Sequence, residues 1–364
     1  MFGAWFVKPI SYRNHLMKKK SILISISKYI GWFILIVTLA ILFRIFIAQV
    51  FYIPSSSMNS TLYEGDVILV NEMCYGALLP NSLSDIPILS NLLLIKPIGK
   101  FMEGKQWHCH RSPGICKPKR GDVVVFFTDE NNTIFIKRCI ALPADTLFIM
   151  HDTVYINDRI QHFPDSSRLQ YRLHTKANCY SDEYLKSIVP RKDQISEVGI
   201  KSCLLRLTIS DAKALNKHRE VNCLEHAEDT ATTGFQNLFP YKESLRWNCS
   251  NYGPIVVPKK GRTVKLNIVN LAFYEKIIRD EDNTLDVIDD MIFVNRQRAN
   301  SYTFKKNYYF MMGDNRLNSS DSRFRGVIAE DKIIGKATLV LFSKEMDTWK
   351  PNGFRKDRMM KKIK

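Results

Sequence analysis

The sequence predicts a mainly β protein: an antiparallel, barrel-like β core carrying an inserted α+β lobe and preceded by one transmembrane helix. Three observations point there. Short runs of β-branched and aromatic residues recur, each bounded by Gly, Asn, Asp or Pro. A more polar, less regular stretch with scattered Cys and His interrupts them at 160–251. One long apolar segment, 29–51, stands behind a basic flank.

The elements follow in chain order. Residues 1–28 hold Lys8, Arg13, Lys18, Lys19, Lys20 and Lys28 and no acidic residue. Apolar residues then run over 29–43, and Arg44 intervenes before Ile45, Phe46, Ile47 and Ala48. Together they reach the roughly 20 residues that span a bilayer. Arg44 lies toward one end, where its side chain can snorkel to the head groups. A cleaved signal peptide fits poorly, because the apolar part is long and no small-x-small site follows Ala48 cleanly. A buried core helix is disfavoured by the basic flank. The expectation is a retained single span at 29–51, with 1–28 in the cytoplasm and everything after Phe51 outside.

Strand-like runs follow at 66–70, 122–127, 133–136, 146–150 and 152–157, and again at 290–295, 307–312 and 337–342. They predict a β core in two parts, 52–159 and 252–345, around the lobe at 160–251. Within the lobe a strand at 203–207 precedes a helix at 212–218, with Ser210 or Asp211 as N-cap. A further helix is expected at 270–279. A second apolar run, 86–98, contains Pro87 and Pro97 and is too short to span. It reads either as a buried loop or strand, or as a segment dipping into the membrane interface. A basic tail is expected at 346–364.

Composition narrows the function. The 364 residues carry a formal net charge of +17 and are 45% hydrophobic. That charge suits anionic lipid head groups. The sequence has no basic patch interleaved with aromatics and no nucleic-acid motif, so no nucleic acid is expected as a partner. All eight cysteines follow the apolar segment. Cys74 and Cys139 sit in strand-like patterns and read as buried small hydrophobes. Cys109 and Cys116 flank a Ser-Pro-Gly turn and suit a disulfide in an oxidising compartment better than a zinc site. The pairing of Cys179, Cys203, Cys223 and Cys249 stays open. No metal and no cofactor is expected.

The serines Ser55, Ser56 and Ser57 stand just beyond the apolar segment. At about 3.3 Å per residue, Ser57 lies within about 20 Å of Phe51. A nucleophile there would cut chains that are themselves held in the membrane. Four segments carry the chemistry in order: PSSSMNSTL at 54–62, EGDVILVN at 64–71, KRGDVVVF at 119–126 continuing to FIKRCIALPAD at 135–145, and GDNRLNSSDSRFRG at 313–326.

These boxes resemble those of bacterial type I signal peptidase, the membrane-anchored serine protease that removes signal peptides from exported proteins. The stretch WNCSNYGPIVVPKKG at 247–261 is similar to the long-insert members of that family. The resemblance implies Ser57 as nucleophile and Lys137 as general base. It implies Ser55, with the Ser57 amide, as oxyanion-hole donors. Ser319 would orient the lysine, and Asp321 with Arg323 would support the site as an ion pair. The residues suit these roles. A serine hydroxyl needs a neighbouring base, and lysine can be one only when burial keeps it neutral. Ile134, Phe135, Ile136 and Ile140 surround Lys137 with apolar chain.

Two positions depart from the family pattern. Ser56 stands where the family has Gly, and Ser60 where it has Pro. Serine resists backbone angles that glycine permits, so Ser56 predicts a strained loop, and Ser56→Gly is expected to retain or raise activity. The resemblance also implies an extended substrate with small side chains at the first and third residues before the cut. Ile53, Met58, Leu62, Val125, Phe135 and Ile136 are the expected pocket walls. The implied partners are signal peptides of exported preproteins and the lipid surface. A self-cleaving Ser/Lys repressor would need a DNA-binding region. An inactive membrane-anchored scaffold would not need Ser57, Lys137 and Ser319 together.

Overall fold

The apolar segment forms the long helix Ile10–Phe46 of a computed structural model, which describes residues 10–79, 111–128, 133–161, 167–229 and 238–363. Its stretch Ile24–Phe46, 23 residues, is long and apolar enough to cross a bilayer. The helix stops before the expected position 51. Ala48–Tyr52 is instead a strand beside Asp66–Asn71, because Val50, Phe51 and Tyr52 favour an extended chain once a pairing partner exists. The run at 86–98 and Cys109 lie outside the described residues. The chain divides into two units, 1–48 with 78–110 and 49–77 with 111–364. The remaining elements belong to the second unit.

Its main sheet has eight strands. Seven follow the order Ala48–Tyr52, Asp66–Asn71, Ile333–Ser343, Val123–Phe127, Ile134–Ala141, Tyr308–Met312 and Ile328–Ala329, and Lys361–Lys362 pairs with Ile333–Ser343. The ladders carry register shifts at Val67/Ile68, Leu69/Val70, Ile333/Gly335 and Phe310/Met311. Such bulges bend and twist a sheet, which gives the curled, barrel-like core. A second sheet, ordered Tyr252–Val256, Thr146–Met150, Thr153–Ile156 and Arg159–Ile160, shares one hydrophobic core with the main sheet through Leu147, Tyr252 and Phe310. Helix Ile268–Asp280, close to the expected 270–279, buries Leu271, Ile277 and Ile278 in that core. Its start is fixed by a capping box between Asn267 and Asn270.

Within 160–251 the strands Val221–His226, Arg168–Thr175, Cys203–Thr208 and Ile195–Val198 form a separate sheet. Helices Asp182–Ile188 and Ile209–Leu215 pack on it. Thr208, not Ser210 or Asp211, caps the second helix, accepting from the Asp211 amide. Leu173, Leu185, Leu205, Leu207 and Val221 make this lobe's own core.

Two expectations are corrected. Cys74 is not a free small hydrophobe, and Cys116 pairs with it, not with Cys109. The two are brought together because the Cys116 amide donates to the Cys74 carbonyl across a short loop ladder. Cys139 is free and buried, as its pattern predicts. The basic C-terminal segment 346–364 is tied into the fold by two of its arginines. Arg355 and Arg358 are buried. Arg358 pairs with Asp66 at 2.6 Å and Arg355 with Glu345 at 2.6 Å. Their guanidinium groups stand 5.3 and 4.5 Å from the Tyr63 ring centroid, so this part of the charge is spent inside the fold rather than offered to lipid.

Candidate active site

The loop after Ile53 is tied down before any side chain acts. The Ile53 amide donates to Asp66 O, and the Gly65 amide to Ile53 O. Ser55 is extended, with φ −136° and ψ 156°, and Ser56–Met58 forms one 3-10 turn. Buried Met58 anchors that turn. Ser56 is not in the left-handed region, so the glycine-like strain expected there is absent. The strained residue is Ser60, at φ 88°. A proline, locked near −65°, could not adopt that angle, so the two departures from the family pattern belong to one altered loop.

Two asparagines of the 313–326 box hold Ser56 and Ser57: Asn315, which the resemblance already put in the Gly313-Asp314-Asn315 wall, and Asn318, which sequence reasoning missed. Asn318 Nδ2 donates to Ser56 Oγ at 2.7 Å, and Asn315 Nδ2 donates to Ser56 O at 3.1 Å. The Asn315 amide donates to Ser57 O at 3.1 Å. The only signal for them in the sequence is their place in the 313–326 box.

Lys137 comes from strand Ile134–Ala141, which lies between Val123–Phe127 and Tyr308–Met312. Its side chain is buried, and Nζ donates to Ser57 Oγ at 2.9 Å and to Ile136 O at 2.8 Å. Burial pushes its pKa down to about 8. Asp321 pulls the value up, and the nearby Arg325 charge pulls it down again. Next to it, Arg138 forms a buried pair with Asp314 at 2.7 Å and also donates to Thr61 Oγ1 at 2.9 Å. That pair joins the lysine strand, the 313–326 wall and the serine loop. Its members lie so far apart in the chain that no local pattern announces it.

The wall is built around Gly313. A Cβ there would collide with the Ser319 side chain and with the Ser57 carbonyl, so only glycine allows the approach. The Gly313 amide donates to Asp321 Oδ2 at 3.0 Å. Arg323 grips Asp321 with two bonds of 2.9 Å, both side chains being buried. Burial alone would raise the Asp321 pKa, but the Arg323 charge and the Gly313 and Arg323 amides more than offset it and hold it below the usual carboxylate value. Ser319 Oγ is buried and makes no hydrogen bond among the described residues. It borders Gly313 and does not bond Lys137.

Ser55 Oγ lies 3.5 Å from Ser57 Oγ. Both serines open onto an apolar groove of about 560 Å³. Ile53, Met58, Phe135 and Ile136 line it, together with Tyr52, Pro54 and Asn318. Leu62 and Val125 are fully buried and outside that lining. Val125 is enclosed by paired strands on both sides, and Leu62 follows the turn whose Met58 carbonyl accepts its amide. Among the described residues one metal-ligand-type group, His174, Cys223 and Glu225, brings its side chains within 4.8 Å of one another. It belongs to the lobe sheet and contributes nothing to the groove.

A serine hydroxyl bonded to a buried, weakly basic lysine at the mouth of an apolar groove is the arrangement that nucleophilic acyl transfer requires. The family model of signal peptidase, peptidase S26, matches residues 26–198 and 257–342, and the chain belongs to that family. Signal peptidase I of Helicobacter pylori is 26% identical over 326 residues, 89% of this chain and 83% of the relative. Signal peptidase I of Buchnera aphidicola subsp. Schizaphis graminum is 27% identical over 348 residues, 94% of this chain and 83% of the relative. A solved signal peptidase I from Enterococcus faecalis is 15% identical at TM-score 0.25, with 61% of this chain and 98% of that one covered.

Proposed function

We propose that this member of the signal peptidase family is a membrane-anchored serine endopeptidase that removes N-terminal signal peptides from exported preproteins through a Ser57/Lys137 dyad. The observation that carries the reading is the 2.9 Å contact between Lys137 Nζ and Ser57 Oγ, with the lysine pushed down to about 8. A neutral amine keeps an N–H for the Ile136 carbonyl and turns its lone pair to the Ser57 hydroxyl.

In the proposed sequence Ser57 Oγ attacks the scissile carbonyl while Lys137 takes the hydroxyl proton. The oxyanion is met by the Ser57 amide and Ser55 Oγ, donors of the kind that contribute a few kcal/mol. Lys137 returns the proton to the leaving amine, which departs as the new N-terminus of the mature protein. A water then adds to the acyl-enzyme, Lys137 takes its proton, and Ser57 is regenerated as the signal peptide leaves. The apolar groove favours small side chains at the first and third residues before the cut.

Helix Ile24–Phe46 and the basic residues before it support one span with a cytoplasmic N-terminus and the groove on the outer side of the inner membrane. Substrates would then meet Ser57 with their own apolar segment still embedded. The test is to incubate detergent-solubilised protein with an exported precursor and sequence the product. A new N-terminus after a small-x-small site is expected, and an uncut precursor would refute the reading.

A further inference from the structure

The region 160–251 reaches the loop behind Ser57 through two residues. Arg168 opens strand Arg168–Thr175, and Asp193 sits in the 3-10 turn Lys192–Gln194. Arg168 Nε donates to Ser60 Oγ at 2.9 Å, and its Nη1 pairs with Asp193 Oδ2 at 3.1 Å. Asn59 Nδ2 donates to that same Asp193 oxygen at 2.7 Å. Asn59 and Arg168 are almost wholly buried. The grip falls on Ser60, whose φ of 88° lies in the left-handed region that residues other than glycine rarely adopt. A non-glycine residue persists in that region only where its surroundings over-determine it.

The main chain of Arg168 closes the same circuit. Its amide donates to Asp314 O at 2.8 Å, and its carbonyl accepts from the Arg316 amide at 3.2 Å. Between those two residues Asn315 holds both Ser56 O and Ser57 O. One arginine is therefore stitched by its backbone to the segment that holds the serine turn from one side. Its side chain fixes the turn's exit from the other. Strand Arg168–Thr175 is paired on both edges within the lobe sheet, which gives the arginine a rigid base.

We infer that the inserted lobe is a positioning element of the active site: Arg168 and Asp193 hold Asn59 and Ser60 so that the turn Ser56–Met58 presents Ser57 to Lys137. The inference rests on the Ser57/Lys137 reading. Loss of the grip lets the turn relax, and displacement of a reacting atom by about 1 Å costs up to about a hundredfold in rate. Lysine cannot replace Arg168, because a single ammonium lacks the planar fork that serves Ser60 and Asp193 at once.

The test measures precursor cleavage by full-length wild-type, Arg168→Lys and Ser60→Ala proteins. Enzyme competent for reaction is counted by stoichiometric acylation of Ser57 with an activated acylating agent. Both variants are expected to lose about 10- to 100-fold in kcat per acylatable enzyme, with KM changed less than about twofold. Ser60→Ala deletes only one oxygen and keeps the Arg168–Asp193 pair, so it decides the matter if Arg168→Lys does not fold. Unchanged kcat per acylatable enzyme, with only the acylatable fraction reduced, would overturn the inference and leave the lobe a purely structural support. A Ser57→Ala control separates the two levels. If it is inactive while Ser60→Ala and Arg168→Lys turn over normally, the inference alone fails; if it stays active, the dyad reading itself fails.

Discussion

Asn318 Nδ2 donates a 2.7 Å hydrogen bond to the hydroxyl of Ser56. The serine that occupies the family's glycine position therefore has a partner on the facing wall, and its side chain is part of how the turn Ser56–Met58 is held. This reverses the expectation for Ser56→Gly, because glycine removes the bond and adds backbone freedom next to Ser57.

Ser56→Gly should lower kcat by about tenfold, about 1.4 kcal/mol in barrier height. Asn318→Ala should do the same, and the double variant should be little worse than either, since both remove one bond. Full additivity of the two losses, or raised turnover in Ser56→Gly, would show that the bond is idle.

Activity should rise with pH and reach half its plateau at about 8, the value to which burial pushes Lys137. Arg325 contributes to that depression. Arg325→Gln removes a positive neighbour and should move the midpoint to higher pH with the plateau retained. A pH–rate midpoint that does not move would remove Arg325 from this role. The same depression acts on stability. The unfolded lysine holds its proton up to about 10.4 and the native one only to about 8. The unfolded state thus binds more protons between those values, and stability should rise with pH across that window.

The Cys74–Cys116 bridge closes a sequence separation of 42 residues. In the chain-entropy description a loop of that length contributes about 4 kcal/mol by restricting the unfolded chain. Cys74→Ser should lower the thermal midpoint by several degrees, and wild-type protein treated with a reductant should fall to the same value. Cys109→Ser should leave it unchanged. A destabilised Cys109→Ser with a stable Cys74→Ser would restore the pairing first expected from the turn at 109–116.

A protease added to intact spheroplasts should digest the region after Phe51 and spare the basic residues before Ser21. Complete protection of the outer region would refute the proposed orientation.

How much of this was legible follows from where the partners lie. Thr146–Met150 and Ile268–Asp280 are declared locally, by a β-branched run between turns and by an apolar face behind an Asn cap. Strand Ile134–Ala141 was cut short at 136 in the sequence because Lys137 and Arg138 end the apolar run. The strand continues because Arg138 finds Asp314 and Lys137 finds Ser57, both remote in the chain. The residues of the Ser57–Lys137 contact, those of the Asp321–Arg323 ion pair and four of the six expected groove residues were legible through the boxes at 54–62, 135–145 and 313–326. Arg168, Asp193, Asn318 and the buried arginines around Tyr63 were not. A polar residue's burial is fixed by a partner whose position only the fold supplies.

Turnover of an exported precursor by Lys137→Met decides whether Lys137 activates Ser57. Methionine keeps the length and apolar stem of lysine but offers no basic nitrogen. A loss of at least about a thousandfold is expected, matched by Ser57→Ala and not deepened in the double variant, because the two act as one unit. Near-wild-type turnover by Lys137→Met, with an unchanged product N-terminus, would contradict it.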